Sequence, residues 1–200
     1  MTMTTDAVAR AFRLAAIRLS LLFAVAFYGV DAITAGRAVK HRIGFAFESA
    51  IAYWPPAYAV YFSVIGAPFL VRWLAPDAAL VRQWELRMAA AIVAAAFVFL
   101  LLPAQLGYPP ADAGAWSAVA RLAPWIAGTH NLLPSLHVGL MLVIAICVWP
   151  HASPAVRAAI AAWALALAAS TLLTHQHHVL DLLAGAVHGA DAGLARVPRD

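Results

Sequence analysis

Charged residues and cysteine are both scarce in this 200-residue sequence. Asp, Glu, Lys and Arg together make up 11% of the residues, whereas soluble domains have about 25%. The single cysteine, Cys147, excludes an intrachain disulfide. The basic residues are scattered rather than clustered, which argues against a nucleic acid as a partner. The chain also lacks repeats, low-complexity stretches and linkers, so we expect one domain over residues 1–200.

Apolar residues dominate what is present. They account for 64% of the chain, and the mean hydropathy is +0.83. Such values are typical of a multi-pass membrane protein, whose partner is the bilayer. We therefore expect an all-α fold, a six-helix transmembrane bundle with interfacial loop segments at residues 35–51 and 111–133. The expected spans cover residues 12–33, 55–74, 88–106, 134–150, 155–173 and 175–195.

The distribution of positive charge predicts the orientation. With six spans, one face receives Arg10, Arg13, Arg18, Arg72, Arg82, Arg87, Arg157, Arg196 and Arg199, and the other receives Arg37, Lys40, Arg42 and Arg121. Because Lys and Arg are enriched on the cytoplasmic side, we expect both termini in the cytoplasm of a cell-membrane protein. The first, third and fifth connections would then be extracytoplasmic.

Two polar segments stand beside expected spans on that extracytoplasmic face. The first polar segment is Asn131–His137 and the second is Ser170–Asp181. Ionisable groups at such positions are costly and indicate function. If the last helix has begun by His177, Asp181 lies one turn later on the same face. A carboxylate at one imidazole nitrogen prepares the other as a nucleophile or base. The alternative is an interfacial histidine beside a helix-capping aspartate.

The first polar segment adds groups suited to binding an anion. Ser135 and His137 stand where a loop becomes the fourth expected span, and N–H groups at a helix start favour an anion. Alternatively, Ser135 is a helix cap and His137 an interfacial residue. Together the two segments suit phosphoryl transfer, in which His177 attacks phosphorus, Asp181 stabilises the cation and His137 protonates the leaving oxygen. This chemistry requires neither a metal nor a cofactor.

The two segments resemble the paired motifs of the type-2 phosphatidic acid phosphatase superfamily. The motifs stand here as Pro134-Ser135-Leu136-His137 and Ser170-Thr171-x5-His177-x3-Asp181. The residues of these two motifs are most similar to those of the inositol phosphorylceramide synthase-like branch. The resemblance implies a metal-independent lipid phosphate phosphatase or phosphotransferase acting at the extracytoplasmic face. It also implies a phosphohistidine at His177, a general acid at His137 and a phosphate contact from Ser135.

The chain departs from that superfamily in its cations. A Lys and an Arg-Pro are expected just after the third span, but Gly107–Pro110 stands there. An arginine of the last motif is replaced by Thr171, and His175 stands where related sequences often have lysine. Phosphoryl sites normally neutralise their anion with Arg or Lys. Beside Ser135, the candidate substrate-binding residues on this face are Thr171, His175, Arg121, Lys40 and Arg42.

Two other classes of protein remain open at this point. The missing cations favour a non-catalytic member that binds a lipid phosphate without turning it over. A membrane metalloprotein is the second alternative, with ligands drawn from His130, His137, His175, His177, His178 and Asp181. In the phosphoryl-transfer interpretation His178 has no role, because on a helix it points about 100° away from His177.

Overall fold

The computed structural model describes residues 2–196, a range that excludes Arg199 of the charge count. Within this range the chain is mostly helical, and the strands β1 (His41–Arg42) and β2 (Ala104–Gln105) have two residues each. The helices are α1 (Thr2–Phe23), α2 (Gly29–Ala35), α3 (Tyr58–Phe62), α4 (Phe69–Leu74), α5 (Ala78–Leu101), α6 (Ser117–Ala127), α7 (Leu136–Val148), α8 (Pro154–Leu173) and α9 (Val179–Leu194). A π-helical turn, Ala24–Tyr28, joins α1 to α2 in one continuous rod.

Three helical segments of the described chain are long and apolar enough to cross a membrane. They are Thr5–Ala35, Ala78–Leu101 and Pro154–Leu173. The apolar segment Leu136–His151 is shorter. Helix α9 has 16 residues, about 24 Å at 1.5 Å per residue, which is less than a hydrocarbon core of about 30 Å. The helical class and three of the expected spans are therefore present.

The second expected span, residues 55–74, is not one regular helix. Residues 55–74 form α3 and α4, separated by a 3-10 turn at Ser63–Gly66. Pro68 precedes α4, and a proline interrupts a helix because it has no N–H to donate and clashes with the preceding turn. This broken segment contributes Val64, Ile65 and Pro68 to the lining of a cavity described below.

Residues 78–87, which the expected spans leave as part of a connection, are in fact the start of α5. Asp77 caps this helix, since its Oδ1 accepts the N–H of Leu80 at 2.9 Å. The charged residues of the first turns find partners on neighbouring segments. Glu85 pairs with Arg18 of α1, and Arg87 donates to the carbonyl of Ala195.

The last helix begins at Val179, not near His175 as expected. His175 adopts a left-handed φ of 55°, and a non-glycine residue in that region breaks the helical path. His177 therefore lies in the turn between α8 and α9, and the predicted helical spacing between His177 and Asp181 is wrong. His178 is the N-cap of α9, with Asp181 at the third helical position.

The connections at one end of the molecule are bonded to each other. β1 pairs in parallel with β2, so that His41 lies opposite Ala104. Ala104 N–H donates to the carbonyl of His130, and Trp54 N–H donates to that of Leu173. The ends of α2, α5 and α8 and the starts of α7 and α9 thus meet at this end. Both polar segments lie there, as the orientation argument requires.

Candidate functional site at the meeting of the polar segments

His177 and Asp181 form a buried pair despite the turn between them. Nδ1 of His177 lies 3.3 Å from Oδ2 of Asp181, and the two residues are 4% and 0% exposed. Because the carboxylate accepts, Nδ1 carries the hydrogen, which leaves Nε2 with the lone pair. The sequence predicted this pairing, although through a helix that is not there.

Asp181 is fixed by the start of α9 as well as by His177. Its Oδ2 also accepts the backbone N–H of His178 at 2.8 Å, the side-chain cap that a helix start provides. Its carbonyl accepts the N–H of Ser135 at 2.9 Å, and this bond joins the two polar segments directly. Within residues 2–196 no group bonds the buried Oδ1 of Asp181.

His137 contacts His177 across the same space. Their ring centroids are 5.5 Å apart in an edge-to-face arrangement, so one phosphoryl group is within reach of both imidazoles. The other face of His137 stacks on Tyr61, with a centroid distance of 4.2 Å. Tyr61 is fully buried, and its hydroxyl bonds no group in the described part of the chain.

An apolar cavity of about 340 Å³ opens at these histidines. Its polar lining consists of His137, His177, Asn131 and the ring of Tyr28, whereas the remaining walls come from Phe23, Phe27, Val64, Ile65, Pro68, Met88, Ile126, Ala127, Leu136, Leu140 and Ile144. Of the described residues, none that lines this cavity is Lys or Arg. The cavity is therefore mostly apolar, with two imidazoles and one amide among its lining side chains.

Asn131 is held by the irregular turn in the first membrane helix. Its Nδ2 donates to the carbonyl of Phe27 at 2.7 Å, and Phe27 belongs to the π-helical turn. Such turns often mark functional sites. Asn131 is 2% exposed, and across residues 2–196 its Oδ1 has no hydrogen-bond partner. The amide oxygen is an acceptor for a ligand hydroxyl.

Ser135 and Thr171 differ in how their hydroxyls are used. Ser135 stands at the N-cap position of α7 but makes no side-chain cap bond, and its buried Oγ meets no partner among the described residues. Thr171 instead donates its hydroxyl to the carbonyl of Ala168 at 2.8 Å. The hydroxyl of Ser135 is thus free of protein partners in the described range, although Ser135 does not itself line the cavity, while the hydroxyl of Thr171 is engaged within α8.

The three predicted basic ligands lie outside the cavity. Arg121 is exposed on α6. Lys40 donates to the carbonyls of Ala35 and Arg37, where α2 ends. Arg42 is an exposed residue of β1 that lines a separate pocket near Glu48 and His178. In this conformation none of the three is placed against His177.

His175 is near the pair of His177 and Asp181 but faces another group. Its Nε2 lies 3.0 Å from the carbonyl oxygen of Ile51, so Nε2 carries the hydrogen. Its ring stacks on Tyr108 at 4.0 Å, with 6° between the planes. Tyr108 belongs to the Gly107–Pro110 stretch that replaces the superfamily's Lys and Arg-Pro. An aromatic stack thus occupies the region where a cation was expected.

Sequence reasoning missed five residues around the site. They are Glu48, Tyr61, Tyr108, Asn131 and His178. One signal was available, because Glu48 is the only acidic residue between Gly36 and Ala57 in a segment otherwise rich in basic and aromatic residues. Asn131 was inside the first polar segment but received no role. Nothing in the local sequence around Tyr61 distinguishes it from a residue of the apolar core.

The donor atoms and the comparisons with known proteins give two further findings. No three His, Cys, Asp or Glu side chains of residues 2–196 are grouped as a metal ion would require. Comparisons with protein families, with curated proteins and with solved structures returned no match for this chain. The fold defines a mostly helical protein with three helices of membrane-spanning length, and its function must be argued from the site itself.

Proposed function

We propose that this protein is a membrane lipid phosphatase or phosphotransferase that acts through a phosphohistidine at His177. The observation that carries the proposal is the apolar cavity with His137 and His177 in its lining. A lipid phosphate fits this lining, because its hydrocarbon chain would contact the apolar walls while its phosphate contacts the imidazoles. The proposal includes a six-pass arrangement, in which α3–α4, α7 and α9 complete the three membrane-length helices.

In the first chemical step, Nε2 of His177 attacks phosphorus and the bond to the leaving alcohol oxygen breaks. His137, protonated when the anionic phosphate binds beside it, gives its proton to that oxygen. The phosphorylated imidazole carries a positive charge, which the carboxylate of Asp181 stabilises at Nδ1. The donors for the phosphoryl oxygens are the hydroxyl of Ser135 and the N–H groups at the start of α7.

In the second step, a water or an alcohol attacks the phosphohistidine while His137 takes its proton, and the phosphorus–nitrogen bond breaks. The cavity lining has no Lys or Arg, and a phosphomonoester carries about two negative charges. A phosphodiester carries one, so a site with few cations suits a diester better. We therefore propose transfer of a lipid headgroup onto an alcohol in preference to hydrolysis of a monoester.

The same lack of cations favours one second candidate, a non-catalytic protein that binds a lipid phosphate. The metalloprotein alternative has less support, because the described donor atoms form no group of three. Turnover separates these candidates, since only the enzyme consumes substrate.

The test is a panel of lipid phosphates in detergent micelles, with and without chelator and with added alcohols. We expect turnover that survives chelation and yields an alcohol adduct from a diester donor. Stoichiometric inorganic phosphate from a monoester, with no adduct, would show a phosphatase instead. Binding of labelled lipid with no product from any donor would establish the non-catalytic candidate. Loss of activity on chelation, restored by one metal, would establish the metalloprotein.

The orientation gives a separate prediction. The substitution Ala111→Cys adds a thiol to the third connection and Ala79→Cys adds one to the start of α5, both at exposed positions. An impermeant maleimide should label Ala111→Cys in intact cells and Ala79→Cys only after permeabilisation. The wild type is the control, because its Cys147 is 2% exposed. Labelling in the opposite order would place the active site in the cytoplasm.

A further inference from the structure

Glu48 is a buried carboxylate that none of the proposed chemical steps uses. It is 2% exposed and lies in a 3-10 turn of the first connection, Ala46–Ala50. Burial alone would raise its pKa, but hydrogen bonds from Phe45 N–H, the His178 ring and Val179 N–H hold the pKa of Glu48 below its ordinary value. A charged group that is shielded from water is stable only when its partners compensate for the lost hydration.

Those partners come from separate segments of the chain. Oε1 accepts the N–H of Phe45 at 3.1 Å and that of Val179 at 3.2 Å. Oε2 accepts the hydroxyl of Tyr108 at 3.1 Å and Nδ1–H of His178 at 2.5 Å. Glu48 therefore connects the first connection, the stretch after α5 and the start of α9.

His178 is held on both of its nitrogens and on its ring face. Gly107 N–H donates to Nε2 at 3.1 Å, so Nε2 has no hydrogen and Nδ1 is the donor to Glu48. The ring stacks on Tyr108 with centroids 4.7 Å apart. A Cβ on Gly44 would lie 2.5 Å from Nδ1, so the backbone of the first connection closes over the imidazole. Its tautomer and orientation are both fixed.

His178 and His177 are consecutive, and they line different spaces. His177 lines the apolar cavity, whereas His178 lines a pocket of about 240 Å³ with Arg42, Glu48 and Tyr108. Holding His178 therefore holds the peptide that carries His177. The hydroxyl of Tyr108 is also 3.0 Å from the carbonyl oxygen of His177, and the N–H of His178 contacts Asp181.

We propose that Glu48, Tyr108 and His178 form a positioning unit that fixes His177 and Asp181 for attack. This inference rests on the proposed function, because it assigns these residues to the same reaction. None of the three lines the apolar cavity. They set the backbone of the nucleophile, and a nucleophile displaced by about 1 Å costs about 100-fold in rate.

The test measures kcat and KM separately in the full-length protein. We expect Glu48→Gln, Tyr108→Phe and Gly44→Ala each to lower kcat about 10–100-fold with KM little changed, since substrate contacts remain. Tyr108→Phe removes one hydroxyl and keeps both ring stacks, so it tests the proposal even if a Glu48 variant fails to fold. His178→Asn, which keeps a donor to Glu48, should retain more activity than His178→Leu.

Two controls match these changes. Glu85→Gln removes a carboxylate from an ion pair whose arginine is exposed, and Gly36→Ala adds a methyl group that meets only one atom, at 4.0 Å. Both should keep wild-type kcat. Wild-type kcat in Glu48→Gln, Tyr108→Phe and Gly44→Ala, or an equal loss in the controls, would overturn the positioning role.

A second measurement separates this inference from the proposed function. Diethyl pyrocarbonate modification of His177, followed by mass spectrometry, needs no turnover. The reaction should be slow in the wild type, where His177 is 4% exposed, and at least about tenfold faster in Tyr108→Phe and Glu48→Gln. If the wild type turns over no lipid phosphate but this difference appears, the proposed reaction fails while the unit that holds His177 stands. Equal modification in all proteins would contradict the unit itself.

Discussion

Replacing His177 by Asn should lower lipid phosphate turnover by at least about 10⁴-fold, because the nucleophile is lost while the shape of the side chain is largely kept. The substitution Asp181→Asn should be less severe, at about 10²–10³-fold, because His177 remains but loses the carboxylate at Nδ1. A ³²P-labelled donor, quenched in alkali, should leave label on the wild type. Label should be absent from His177→Asn.

The matched control is His151→Asn, an exposed histidine after α7 that should keep wild-type turnover and labelling. Unfolding curves in detergent establish whether each variant is folded. Full turnover in folded His177→Asn, or label retained there, would contradict the mechanism. Loss of the same size in His151→Asn would show that the assay reports damage to the protein instead of chemistry.

The pairing of His177 with Asp181 was predictable from sequence, while its backbone geometry was not. Two groups four residues apart meet either on one helix face or across a helix cap. The left-handed φ of His175 selects the cap, and no residue type in the turn makes that choice evident. The proximity of His137 and His177 was also predictable, since both stand beside expected spans that begin on the same face.

The Glu48 contacts were not predictable, because they depend on long-range folding. Glu48 and His178 are 130 residues apart in sequence, and only the pairing of β1 with β2 brings the first and third connections over α9. The predicted basic ligands lie away from His177 for a different reason. Arg121 and Lys40 are on the expected face, but membership of a face does not determine where a long side chain points.

Some helix bounds follow from the local sequence, whereas others depend on how the chain packs. Helix α8 begins within one residue of its expected start because Ser153 and Pro154 are clear start signals. The broken segment of α3 and α4 has a composition similar to that of a span, and proline alone does not tell a kink from a break. Val64, Ile65 and Pro68 of that segment line the apolar cavity, so a pattern of six regular helices does not predict it.

The closest helix contact in the site depends on glycine. A Cβ on Gly189 of α9 would come within 3.0 Å of backbone atoms of Gly139 in α7, and one on Gly185 would lie 2.5 Å from the carbonyl oxygen of Ser135. Backbone atoms cannot rotate away as a side chain does. Larger residues at these positions therefore require α7 and α9 to separate.

Gly189→Ala should thus destabilise the protein and disrupt the site together. We expect a loss of about 1–3 kcal/mol in unfolding free energy from overpacking. We also expect at least about a 100-fold loss in kcat, because α7 carries His137 and α9 carries Asp181, and separating the helices misplaces the general acid. The bond from Ser135 N–H to the carbonyl of Asp181 would lengthen at the same time.

Gly29→Ala is the matched control, since Gly29 is also helical but an added Cβ meets nothing within 4 Å. Alanine is the better helix former by about 0.5–1 kcal/mol, so this variant should unfold at the same or a higher temperature and keep wild-type kcat. The measurements are thermal unfolding in detergent and turnover of the best donor from the lipid panel. Equal behaviour of Gly189→Ala and Gly29→Ala would show that the contact between α7 and α9 does not set the distance between His137 and His177.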